Sequence, residues 1–282
     1  MGWLSHPLEE LDIYNYQNAT PLSEELVDQI TGVVKNLSSL RMAVVHELIP
    51  ASPEGEILVD LDGLHFPQLE FLSLGRFSFV KDEQLVWILG HSSTLEELYL
   101  DDCSIIFHAK FCTDEYEPEK CGISQSKLKN TGHELATHFY YTYQSRWHDY
   151  FTAIQEGLPR LRRFKIGESI EWAEDYTIPL EGEERLVPGL MDDRYNAFDG
   201  GLGPCQFITQ QDFQDMKEDE GGPAYEGVEW PGCNEADRDA LKELYRSIGQ
   251  WVDCGHINLE SSRHVEDLLQ VESYRGPVRI RT

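Results

Sequence analysis

Phe66-Pro67-Gln68-Leu69-Glu70-Phe71-Leu72-Ser73-Leu74 and Leu95-Glu96-Glu97-Leu98-Tyr99-Leu100-Asp101-Asp102-Cys103 carry the same pattern, Leu-x-x-Leu-x-Leu, 26 residues apart. The second copy continues to a Cys at the position where repeats of this spacing place Asn or Cys. A third copy, Leu158-Pro159-Arg160-Leu161-Arg162-Arg163-Phe164-Lys165-Ile166, fills the three apolar slots with Leu161, Phe164 and Ile166. A weaker one, Leu37-Ser38-Ser39-Leu40-Arg41-Met42, stands 32 residues before the Leu69 copy. That interval is just outside the usual period of about 20 to 29.

Residues that alternate in this way form short strands whose leucines turn to one face and whose interleaved residues turn to the other. Each strand then needs a returning element to cover its apolar side, and the intervening segments read as helices. Asp82 to Leu89 opens with acids, puts Leu85, Ile88 and Leu89 on one stripe and stops at Gly90. Trp147 to Glu156 does the same with Tyr150, Phe151 and Ile154, ending at Gly157. A helix is also expected from Ser23 to Val34, and another over 235–252, with Ala240, Leu241, Leu244, Ile248 and Trp251 at helical spacing.

The fold these elements predict is a leucine-rich-repeat-like α/β domain spanning 1–282, a curved sheet backed by helices. Its repeat strands fall near 37–42, 69–74, 95–100 and 161–166. Two long inserts make it irregular. The first, 104–146, is rich in aromatics, among them Phe107, Phe111, Tyr116, Phe139, Tyr140, Tyr141 and Tyr143. The second, 168–233, carries Pro179, Pro188, Pro204 and Pro223, two Gly-Gly pairs and the acidic run Asp212 to Glu220, and reads as a long irregular connection with short strands. The concave face of the sheet would be lined by Ser39, Arg41, Phe71, Ser73, Glu97, Tyr99, Asp101, Arg163 and Lys165. These are the candidate binding residues.

Charge narrows the partners. Lys and Arg total 23 against 51 Asp and Glu, a formal net charge of −28. Such a chain repels phosphate backbones and anionic lipid, so neither nucleic acid nor a membrane is an expected partner, and a basic protein surface is. No stretch of about 18 apolar residues occurs and the first residues lack a signal-peptide pattern, so the expected location is cytoplasmic or nuclear. The 6 cysteines are far apart with no Cys-x-x-Cys pair, as reduced thiols are. No metal site and no cofactor are expected from them.

Motifs of catalysis are not recognisable. His133-Glu134-Leu135-Ala136-Thr137-His138 resembles a zinc-protease helix, but its histidines are five apart instead of four and diverge by about 140° on a regular helix. The pairs Asp101-Asp102 and Asp192-Asp193 read as solvated surface. Gly200-Gly201-Leu202-Gly203-Pro204 reads as a turn, because Pro204 offers no N–H to a phosphate. A basic island, Arg160, Arg162, Arg163 and Lys165, would either bind an acidic peptide or phosphate or neutralise the acidic insert.

The run from Phe66-Pro67 through Leu74-Gly75, with Gln84-Leu85-Val86-Trp87-Ile88-Leu89 and then Ser93 to Cys103, resembles the repeat region of fungal F-box proteins. Trp147-His148-x-Tyr150-Phe151 and Gly157-Leu158-Pro159-x-Leu161-Arg162-x-Phe164 continue the similarity, which covers about residues 60 to 170. The resemblance implies a substrate-recognition module of a cullin-type ubiquitin ligase. The Leu-Pro-x-Glu-like opening of the F-box is not found in the first 60 residues, which leaves the receptor half without its ligase adaptor segment. The expected function is therefore a protein-interaction scaffold. The competing expectation is an enzyme with a pocket between the concave face and the inserts, using His108, His133, His138 or His148.

Overall fold

The computed structural model of the chain describes residues 10–16, 38–45, 64–112, 123–130, 138–169, 186–200, 206–208, 210–219 and 226–250. In chain order its strands are β1 Glu10–Tyr16, β2 Ser39–Val45, β3 Phe71–Gly75, β4 Ser78–Phe79, β5 Glu97–Asp101, β6 Ser104–Cys112, β7 Lys129–Asn130 and β8 His138–Thr142. They continue with β9 Arg163–Ser169, β10 Leu186–Pro188, β11 Tyr195–Gly200 and β12 Gln206–Ile208. The helices are α1 Asp82–Leu89, α2 Trp147–Gly157, α3 Gln210–Asp219 and α4 Asn234–Ser247. The result is a mixed α/β architecture. None of these helices is long and apolar enough to cross a membrane.

The four copies of the pattern lie side by side. The first sheet has the order β1-β2-β3-β5-β9-β10, parallel throughout except for antiparallel β10. β3, β5 and β9 each begin two residues later than the pattern does, because Leu69, Leu95 and Leu161 lie in the lead-in between a turn and the strand. The amides of Glu70 and Phe71 both donate to the Ser38 carbonyl. Those of Glu96 and Glu97 donate to Glu70, and those of Arg162 and Arg163 to Glu96. One bonding device thus recurs at each step from β2 to β9.

Register then sorts the side chains. Leu40, Leu72, Leu98 and Phe164 are cross-strand neighbours, as are Leu74, Leu100 and Ile166, and all of them are buried in one core. The strands also leave the sheet alike. Arg76 and Asp102, directly after β3 and β5, both have positive φ, 50° and 54°. Arg76 N–H donates to Asp101 and Asp102 N–H to Gly167, each at 2.7 Å. An Arg76–Asp102 ion pair at 2.9 Å joins the two turns, and the buried Cys103 thiol donates to the Leu74 carbonyl at 3.2 Å.

The two stretches expected to be inserts build a second sheet together, in the order β12-β11-β6-β8-β7, with β4 also on β6. β6 continues directly from β5 and pairs in parallel with β11, residues 195–200 of the other stretch. The described residues of segment 168–233 form short strands, β10, β11 and β12, and a helix the sequence did not suggest. That helix, α3, buries Phe213 against Phe107 and Trp230 and packs Met216 on the core, which stabilises a helix whose other positions are polar.

α2 and α4 cover the core where β9 lies. Phe164 meets Phe151 of α2 and Tyr245 of α4, and Phe79 of β4 meets Trp147 and Tyr150. α4 ends at Ser247, earlier than the expected 252, because Gly249 takes a left-handed φ of 70° and reverses the chain. The reversal brings Gln250 to the edge of β9. Its side-chain amide accepts from Phe164 N–H at 3.0 Å and donates to the Phe164 carbonyl at 2.8 Å, as a neighbouring strand would. The helix expected over Ser23 to Val34 lies outside the described residues.

Candidate functional site: a mixed sheet face and a buried acid junction

On the sheet face opposite the core, register places Ser39, Phe71, Glu97 and Arg163 in one row, and Arg41, Ser73, Tyr99 and Lys165 in the next. The rows are cross-linked. Tyr99 OH donates to Glu97 at 2.8 Å, Arg163 lies 3.3 Å from the other Glu97 oxygen, and the Phe71 and Tyr99 rings are 5.2 Å apart. Lys165 Nζ stands 5.3 Å over the Tyr99 ring. Exposure divides the candidates: Ser73, Tyr99 and Asp101 are buried and offer almost no area to a partner. Arg163 is open, and Phe71, Glu97 and Lys165 are partly so.

The basic island is tied to the neighbouring repeat. Arg160 and Arg162 both pair with Glu96, and Arg163 pairs with Glu97. Among the described residues, none of these three arginines pairs with the acidic run of α3.

Among the described residues, the histidines proposed for catalysis are spread over different elements. His133 lies outside the described residues, and His138 opens β8 opposite Cys112. His108 is buried in β6 among Phe107, Tyr140 and Phe213, and burial together with the nearby Lys110 charge lowers its pKa to about 4. His148 meets several reactive groups.

Those groups converge where the N-termini of α2 and α4 meet. Asp237, in the first turn of α4, is fully buried. Its Oδ1 accepts from the backbone N–H of His148 at 3.1 Å and from His148 Nδ1 at 2.9 Å. Its Oδ2 accepts from Arg194 Nε at 3.1 Å and from Tyr195 OH at 2.9 Å, with Cys233 Sγ at 3.5 Å. Tyr195 OH also accepts from Trp147 N–H at 2.9 Å. Two of the amides that open α2 are therefore satisfied from outside the helix, one by β11 and one by α4.

Arg194 is itself held, through Met191 O at 2.9 Å and Asn234 Oδ1, while its own carbonyl accepts from Trp147 Nε1 at 3.0 Å. The positive ends of two helices and one guanidinium surround one carboxylate. Burial pushes the Cys233 thiol up, and it pushes the Tyr195 phenol far above its ordinary range. Both stay protonated at neutral pH. With Nδ1–H given to Asp237, Nε2 of the partly exposed His148 ring lies 3.7 Å from Asp149.

Sequence reasoning missed Asp237, Arg194, Tyr195 and Cys233. Asp237 looks like an ordinary first-turn acid, and His148, Arg194 and Tyr195 are 42 to 89 residues away from it. No family model, no curated protein and no solved structure matches the chain.

Proposed function

We propose that the chain is a protein-interaction scaffold of the leucine-rich-repeat kind, which recruits a partner through the sheet face bearing Phe71, Glu97, Arg163 and Lys165. The observation that carries this reading is the recurrence of one backbone device at Ser38, Glu70 and Glu96, 32 and then 26 residues apart, with the third step ending at Arg162 and Arg163. Repeated units joined edge to edge present successive residues of one face as a continuous surface, and such surfaces bind other proteins. The Cys103 thiol on the Leu74 carbonyl supports the same reading, since it links adjacent units from the slot that the repeat keeps for Asn or Cys.

With a net charge of −28, association is steered toward a basic partner. The resemblance to fungal F-box proteins extends the proposal to substrate recognition for a ubiquitin ligase. An enzymatic reading has one observation in its favour, the Asp237–His148 pair beside Cys233.

The test is affinity purification of the full chain from its native host beside the double variant R163E/K165E. Proteins recovered with the parent and depleted at least about tenfold from the variant are the predicted outcome, and an adaptor with a cullin among them would support the ligase role. Recovery of the same proteins by both chains contradicts use of this face.

A further inference from the structure

Widely spaced cysteines gave no reason to expect a metal, yet the fold gathers three donors of different chemistry at the α2/α4 junction. Cys233 and Asp237 are four residues apart at the start of α4, a separation that turns both side chains to one side. α2 brings His148 to the same spot from 89 positions before Asp237. One ligand atom from each lies within 4.8 Å of the others.

Tetrahedral zinc, with bonds of about 2.0–2.3 Å to N, O and S, sets its donors about 3.3–3.6 Å apart. The observed separations are 2.9 Å from His148 Nδ1 to Asp237 Oδ1 and 3.5 Å from Cys233 Sγ to Asp237 Oδ2. The first must open by a few tenths of an ångström, and the sulfur's separations from the other two donors, which reach at most 4.8 Å, must close by up to about 1.5 Å.

The surrounding groups suit such a site. Arg194 and Tyr195 hold Oδ2, which leaves Oδ1 to coordinate. Tyr195 OH is 3.1 Å from the sulfur. Asp149 stands near His148 Nε2, where the ring N–H would lie once Nδ1 is a ligand. Arg194 opposes a cation, but the Asp237 carboxylate and a Cys233 thiolate together outweigh it.

We propose that His148, Cys233 and Asp237 bind one divalent cation of the zinc class, with the fourth position open to water on the exposed side of His148. On binding, the Cys233 thiol proton leaves to solvent, and the imidazole proton moves from Nδ1 to Nε2, so the ring stays neutral.

Titration of the metal-free full chain with Co2+ tests this. One equivalent is expected to give a thiolate-to-cobalt charge-transfer band that Zn2+ abolishes, that is missing in C233S, and whose affinity falls at least about tenfold in H148A. A band that never saturates, or that survives C233S, overturns the proposal, as does an unchanged affinity in H148A. A measurement on the parent chain needs no variant: Zn2+ should slow alkylation of Cys233, followed by peptide mass mapping, at least about tenfold. An unchanged rate refutes the site.

Discussion

Asp237 shows how one side chain can join three parts of a chain. The carboxylate is buried among donors from α2 and β11, and its partner Arg194 is almost as deeply buried. A buried ion pair contributes little over a well-packed apolar pair, but removing one partner leaves the other charge without compensation. D237A is therefore expected to lower unfolding free energy by about 3–5 kcal/mol in urea denaturation. The double variant D237A/R194M should recover part of that loss, because no charge is then stranded.

His108 supplies a pH dependence with a definite sign. Its pKa falls from 6.5 to about 4 on folding, mainly through burial. Above pH 6.5 the ring is neutral in both states, and its contribution is complete. As pH falls from 6.5 toward 4 the unfolded chain takes up a proton that the folded chain refuses, so stability declines by about 3 kcal/mol. Denaturation midpoints between pH 7 and 4 should show this slope in the parent chain and a shallower one in H108Q. Equal slopes would show that His108 does not titrate in this way.

At the scale of elements, the repeat was legible because its period-2 alternation is local. Leu72, Leu98 and Phe164 announce both a strand and its buried face before any contact is known. α1 and α2 were legible for the same reason, from stripes that end at glycines. What could not be read was pairing over long range. The partnership of β6 with β11 depends on residues about 90 positions apart, and nothing in the Pro and Gly content of 168–233 points to it. The acid junction was hidden likewise, since Arg194, Tyr195 and His148 carry no spacing that links them to Asp237.

Gln250 is a further element-level case, a single side chain that occupies the open edge of β9. Q250A leaves the N–H and carbonyl of Phe164 to find water at a partly buried position. The expected loss is about 1–2 kcal/mol, read as a lower urea midpoint. An unchanged midpoint would mean that water serves the edge equally well.

At the scale of the molecule, a mostly parallel sheet is joined through β4 and β6 to a second, mixed sheet, and helices close the core on one side. The opposite face of the first sheet carries Phe71, Glu97, Arg163 and Lys165, and the account rests on its being the recruiting surface. Photo-crosslinking tests this most directly. A benzoyl-phenylalanine is placed at Arg163 in one full-length chain and, as a control, at the exposed Val86 of α1 in another. The account predicts a discrete partner adduct in native extract from position 163 and none from position 86. The same adduct from both positions, or one from position 86 alone, would contradict it.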